Sequence, residues 1–263
     1  FLFENSLYLN KWSKNLPSLK LGNSYLNFIA SHDGIGMRPI EGILNGKNVN
    51  NLFKRLKKNG AKFSYRKIQN KSKKVYEANI TIFNALKKSN FDKKGKYFFE
   101  RYVSIHAVMI AFEGVPAIYF NSLFGTSNDD AKYIITGNKR DLNRYKWNKK
   151  VILNNLNYNK SKQSIFYKSV TKLLDIRKKQ KAFHPNAFRY NIEINSKIFC
   201  FKRVSIDKKQ TIVCLTNLSS KYQLVKLNKK FSKWDDLLGS KINYLSSSKL
   251  MIKPFQTIWL SNK

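Results

Sequence analysis

A largely apolar stretch, Leu26–Ser31, runs without a spacer into His32-Asp33-Gly34-Ile35-Gly36-Met37-Arg38-Pro39, and this junction constrains the fold more than any other segment. An apolar strand that hands polar side chains directly to a glycine-bearing turn is how an α/β barrel presents groups at the carboxyl ends of its strands. The strand supplies rigidity, while Gly34 and Gly36 would let the backbone run close to a bound ligand. An ordinary Asp-Gly turn has the same local pattern, so the rest of the chain must decide.

Upstream, Leu2, Phe3, Leu7, Leu9, Trp12 and Leu16 predict the tail of a helix that Pro17 ends. Residues 34–75, rich in Gly, Asn and Lys, read as a long elaborated loop with one short helix around Val49–Lys58. A long loop at that face of a barrel shapes a substrate site. Helical spacing covers Glu77–Leu86 and Tyr97–Phe112, the second run ending at Glu113-Gly114. Val115–Phe120 reads as another buried strand, Asn121–Trp147 as a polar loop and Ser164–Lys179 as a closing helix. After about residue 188 the pattern changes to short strand-like runs: Ile192–Ile194, Ile198–Val204, Thr211–Leu218, Gln223–Leu227, Leu250–Ile252 and Thr257–Leu260. Such a set predicts a small antiparallel β-sandwich. The expected class is therefore α/β, with residues 1–188 the carboxyl-terminal part of a (β/α)8 barrel and residues 189–263 a sandwich.

The 263 residues are 42% hydrophobic, with 19 Phe and 14 Tyr, which suffices for a core and argues against disorder. A formal charge of +36 raises nucleic-acid binding as a different class of function. The 51 Lys and Arg, however, are spread through nearly every segment among Asn, Ile, Phe and Tyr. A dedicated binder gathers them on one face or tail with interleaved aromatics, so no specific nucleic-acid partner is expected. Cys200 and Cys214 sit in two neighbouring strand-like runs as small hydrophobes, consistent with a reduced, cytoplasmic compartment. Two cysteines and three dispersed histidines make no metal-ligand set. No apolar run approaches the roughly 20 residues of a membrane span, and the amino end lacks a signal-peptide layout. The start Phe1-Leu2-Phe3-Glu4, without Met, leads us to expect a fragment.

Taken in order, several segments resemble the sucrose phosphorylase group of glycoside hydrolase family 13, the α-amylase superfamily. They are Ala30–Pro39, Tyr76-Glu77-Ala78-Asn79-Ile80-Thr81, Gly114–Phe120, Gly125-Thr126-Ser127-Asn128-Asp129, Arg140-Asp141-Leu142-Asn143-Arg144 and Ala182–Ala187. The resemblance spans almost the whole chain and implies that residues 26–31 and 117–120 are the seventh and eighth barrel strands. It also implies a retaining double displacement between two carboxyl groups held about 5 to 5.5 Å apart. Those groups belong to the fourth and fifth strands, upstream of this chain. The activity implied is transfer of an α-glucosyl group between a small glucoside (sucrose, glucosylglycerate or sucrose 6'-phosphate) and phosphate, with no metal or organic cofactor. A hydrolase or transglucosidase of the same superfamily is the alternative.

The same resemblance assigns Asp33 as the carboxylate that stabilises the oxocarbenium-like transition state and His32 as a ligand of the same glucosyl unit. Arg144 matches an arginine facing acceptor or phosphate, where a planar fork suits an oxyanion better than lysine does. Its bland alternative is an ion pair with Asp141 or Asp129. Tyr76 and Glu77 fall on a loop lining the acceptor subsite, and here the chain departs from sucrose-specific relatives, which carry Tyr-Gln. His106 is expected to be a packed core histidine and His184 a turn residue, while Trp234, Phe255 and Trp259 are expected in the core rather than on a carbohydrate platform.

Overall fold

The computed structural model describes residues 1–17, 19–20, 22–68, 72–240 and 242–263. Helix α1 (Leu7–Lys14) ends before Pro17, as its spacing predicts. Strand β1 (Leu26–Asn27) leads to the Asp33 turn and β2 (Ile35–Gly36). Helix α2 (Gly46–Lys58) starts where the Asn45 side chain accepts a hydrogen bond from the Asn48 amide at 2.9 Å, and it stops at Asn59-Gly60, where φ turns positive. Strands β3 (Lys62–Lys67) and β4 (Lys73–Asn79) follow, then the short helix α3 (Ile82–Leu86).

Helix α4 (Phe98–Ala111) is the buried axis of the molecule. It is apolar almost all round, with Tyr102, Ala107 and Ile110 fully buried, because helices and strands from both ends of the chain pack against it. After it come β5 (Val115–Pro116), α5 (Phe120–Leu123), α6 (Asp130–Thr136), α7 (Lys149–Asn157) and α8 (Lys162–Lys178). The last of these is capped by Ser161 and packs on α4.

The remaining chain is strand: β6 (Phe188–Asn191), β7 (Ile198–Val204), β8 (Thr211–Asn217), β9 (Gln223–Lys226), β10 (Asp235–Asp236), β11 (Asn243–Ser246), β12 (Lys249–Ile252) and β13 (Thr257–Ser261). They form an antiparallel five-stranded sheet, β10-β13-β8-β7-β6, and a three-stranded one, β11-β12-β9. Strand alternation divides the five-stranded sheet into two faces. Ile198, Cys200, Val213, Leu215, Ile258 and Leu260 join the smaller sheet in one core, while Phe199, Phe201, Ile212, Cys214 and Trp259 join the helices in another. Both cysteines are buried and unbridged, and burial pushes both thiols up. Trp259 and Phe255 are core residues, as expected.

Five sequence expectations are corrected. The strands expected at 26–31 and 115–120 shrink to the parallel pair β1·β5, in register Leu26 to Val115, and Phe120 already opens α5. Among the described residues each has only the other as a neighbour, so there is no ladder to extend. Within the loop expected at 34–75 the short helix is present as α2, and the rest is largely a three-stranded antiparallel sheet, β2-β4-β3; residues 69–71 lie outside the described residues. The helical spacing from Glu77 belongs to β4 as far as Asn79, and Asn121–Trp147 contains α6 and a 3-10 turn at Lys139–Asn143. The first sandwich strand lies at 188–191 rather than 192–194, set by pairing of Phe188 with Val204.

Two buried arginines lock these parts together at the carboxyl end of α4, where the last turn leaves carbonyls without helical partners. Arg177, from α8, donates to the carbonyls of Ile110, Phe112 and Gly114. Arg203, from β7, donates to Ala111 at 2.9 Å and to His184 at 2.7 Å. Their positive charge also suits the negative end of the helix dipole. Burial pushes both guanidinium groups down to about 10.

Candidate functional site

The turn after β1 carries the site. The Ser31 and Gly34 backbones pair across it, and Gly34 adopts φ +126° with β4 packed so close that a Cβ would lie 2.2 Å from the Ala78 carbonyl oxygen. Gly34 therefore admits β4 rather than a ligand, whereas Gly36 pairs with Glu77 and a Cβ there would meet only Pro39 at 3.8 Å. This corrects the expectation for Gly34, whose missing side chain makes room for the neighbouring strand. It also brings Tyr76 and Glu77 onto a strand beside Asp33, instead of a loop.

Asp33 lies between two arginines. Arg144 Nη2 donates to Asp33 Oδ1, and Arg140 Nη2 lies 3.4 Å from Asp33 Oδ2. His32 Nε2 is 3.2 Å from Asp33 Oδ1, on a largely exposed ring. Arg144 thus pairs with Asp33 and not with Asp141 or Asp129. Asp141 is occupied by Lys132 and Thr136, which hold its carboxyl below the usual range, and Asp129 caps α6.

Glu77 is nearly buried. Its Oε2 accepts from Asn79 Nδ2 at 2.7 Å and from Arg140 Nε at 3.2 Å. Asn79 also donates to the Asp33 carbonyl at 3.0 Å and accepts from Ser64 Oγ at 2.7 Å, so the β4 strand and the Asp33 turn are one braced unit. Arg140 Nη2 further donates to the Tyr76 hydroxyl at 3.3 Å. The hydrogen bond to Glu77 raises the Arg140 guanidinium above its ordinary value.

Behind the arginines, Tyr119 donates to the Asn143 carbonyl at 2.8 Å, and Asn143 in turn donates to the Ser31 carbonyl. The 3-10 turn at Lys139–Asn143 is tied by these bonds to the end of β1. All five residues singled out from the sequence, His32, Asp33, Tyr76, Glu77 and Arg144, therefore meet in one place. Arg140 was not singled out as a site residue, although it opens the segment Arg140–Arg144 that carries part of the resemblance and lies four residues before Arg144. Arg144 Nε is buried without a partner, and Nη1 of both arginines makes no hydrogen bond to a described residue. The arrangement is a carboxylate bracketed by guanidinium donors, suited to sugar hydroxyls on one group and oxyanions on the others.

The other two histidines match the bland expectation. His106 Nδ1 lies 2.8 Å from the Tyr102 carbonyl inside α4, and burial pushes the ring down to about 4. His184 closes the turn at Lys181–Phe183. Among the described residues no cluster of His, Cys, Asp and Glu could hold a metal, and no helix is long and apolar enough to cross a membrane.

No family model matches the chain. It is 30% identical over 261 residues to a glucosylglycerate phosphorylase of Escherichia coli (strain K12), an overlap of 98% of this chain and 45% of that protein. A glucosylglycerate phosphorylase of Spirochaeta thermophila is 31% identical over 219 residues, 83% of this chain and 37% of its own length. The chain thus spans less than half the length of these relatives. The crystal structure of sucrose 6F-phosphate phosphorylase from Thermoanaerobacter thermosaccharolyticum superposes with a TM-score of 0.66 at 19% identity, over 86% of this chain and 42% of that one, a likeness of fold.

Proposed function

The chain matches the carboxyl-terminal portion of a sucrose phosphorylase-like protein, and on that premise we propose that it is the carboxyl-terminal part of a retaining phosphorylase that moves an α-glucosyl group between glycerate and phosphate, giving glucose 1-phosphate. In this reading β1 and β5 are the last two strands of a (β/α)8 barrel, residues 34–75 are an insertion on its catalytic face, and residues from about 189 form an appended sandwich. The nucleophile and the acid/base carboxyl come from earlier strands. The nucleophile displaces the acceptor oxygen at the anomeric carbon, the acid gives that oxygen its proton, and phosphate then displaces the enzyme carboxylate.

Asp33 supplies negative charge against the oxocarbenium-like transition state, and His32 holds neighbouring hydroxyls of the same sugar. Arg144 faces phosphate, and Tyr76 with Glu77 shapes the acceptor side. The observation that carries the assignment is the Asp33 carboxylate held between Arg140 and Arg144 in the turn that follows the parallel strand β1. The names of the sequence relatives favour glycerate among the small acceptors.

The test is phosphorolysis by the full-length enzyme. Asp33→Asn keeps the size but removes the charge, so kcat should fall at least about 100-fold, with KM changing much less. A kcat near that of the unsubstituted enzyme would reduce Asp33 to a turn residue. Release of glucose with no dependence on phosphate would make the enzyme a hydrolase. The isolated chain should release no glucose 1-phosphate, because it lacks the paired carboxylates.

A further inference from the structure

Glu77 stands where a residue contacting the acceptor is expected, yet its geometry points inward. The side chain is nearly buried, and the oxygen Oε2 is committed to Asn79 and Arg140. An uncompensated carboxylate there would also repel an anionic acceptor. The guanidinium it holds is different. Arg140 is 37% exposed, its Nε is fixed by Glu77 and its Nη2 by Tyr76 and Asp33, and its Nη1 has no acceptor among the described residues. A guanidinium fixed on one edge and open on the other is preorganised for an oxyanion, since the rotamer entropy of a long side chain is already spent.

We infer that Arg140 is a further residue, beside Arg144, through which this site recognises an oxyanion, the carboxylate of the acceptor or phosphate itself, and that Tyr76 and Glu77 act by holding its guanidinium in place. This rests on the phosphorylase reading above. Glu77 is then a positioning residue, and the specificity it marks is exercised by Arg140.

The test compares the full-length enzyme with Arg140→Ala, Arg140→Lys and Tyr76→Phe. In the synthetic direction, with glucose 1-phosphate as donor, kcat/KM is measured for D-glycerate and for uncharged glycerol. In phosphorolysis, KM for phosphate is measured. Loss of one charge-assisted hydrogen-bonding group should lower the glycerate-to-glycerol ratio at least about 10-fold in Arg140→Ala. Arg140→Lys restores the charge without the fork and should recover only part of the ratio. Tyr76→Phe should raise the KM for the anion a few-fold, on the order of one neutral hydrogen bond, with kcat held.

A rise in phosphate KM with the glycerate ratio unchanged would assign Arg140 to phosphate, still as the oxyanion reader. Equal losses on glycerate and glycerol with phosphate KM unchanged would overturn the inference and leave Arg140 a structural brace. Should the unsubstituted enzyme turn over no glucose 1-phosphate, the phosphorylase reading falls and calorimetric titration decides the inference alone. Tenfold weaker binding of glycerate or inorganic phosphate by Arg140→Ala would then uphold it, and equal binding or none would sink it.

Discussion

The parallel pair β1·β5 and the antiparallel trio β7, β8 and β13 are built from similar residues and end in opposite conditions. In the trio every strand has neighbours on both edges, both faces are covered, and Phe199, Val213, Ile258 and Trp259 are fully buried. In the pair, two residues on each strand meet and the apolar side chains around them stay open: Leu26 at 63%, Phe28 at 57%, Val115 at 43% and Phe120 at 55% exposure. An apolar pocket of 460 Å³ lined by Trp12, Phe28, Ile29, Ile105 and Met109 lies beside it. Apolar sequence alone does not make a strand; it makes one where a second edge and a second layer are at hand.

The largest test of that contrast is truncation of the same kind of side chain in both regions. Trp259→Ala should lower unfolding free energy by about 3–5 kcal/mol, whereas Phe28→Ala should change it by no more than about 0.5 kcal/mol, measured by urea denaturation. Comparable losses at both positions would erase the distinction between a covered and an uncovered sheet.

A smaller effect comes from α4, the helix both regions lean on. Burial lowers the His106 pKa to about 4 from an ordinary 6.5, so the folded chain resists a proton that the unfolded chain accepts. Stability should be level above about pH 6.5 and fall as pH drops toward 4, by roughly 3 kcal/mol, with no further loss from this group below. His106→Gln should flatten that acid limb. Persistence of the same slope in the variant would assign it to other groups.

The smallest expected change in stability has the most visible consequence in solution. Combining Phe28→Ser with Val115→Thr should leave the Tm within a few degrees and reduce self-association in sedimentation velocity, because an open apolar patch beside unpaired strand edges favours association. Unchanged association would place the sticky surface elsewhere.

The same contrast explains what could be seen in advance. The strand Ile198–Val204 was legible to the residue because its partners also lie in the chain and press both faces into apolar patterns. Strands β3 and β4 were not, since Lys62, Lys67, Lys73 and Lys74 place solvent-facing charge among few apolar positions, and the register shifts between Ser64 and Tyr65. Helix α7 was hidden likewise: Ile152 is its one buried hydrophobe, while Val151 and Leu153 are half-exposed. For the site, the residue types at 32, 33, 76, 77 and 144 were recognisable from motif resemblance. Which arginine meets which carboxylate depends on contacts 63 and 111 positions apart in sequence, as Arg140 to Glu77 and Arg144 to Asp33 show, and no local pattern encodes that.

The arginines at the end of α4 make the boundary near residue 188 a poor place to divide the chain. A piece ending there would keep Arg177 but lose the donor for the Ala111 carbonyl, and a piece beginning there would carry Arg203 with no acceptors for a guanidinium that is fully buried in the intact chain. Each stranded group carries a desolvation cost of about 1–3 kcal/mol or more. Separate expression of the halves should therefore give two poorly soluble products, and the intact chain should melt in one calorimetric transition. What reads as two modules in architecture should then behave as one cooperative folding unit, held by guanidinium groups at the end of one helix.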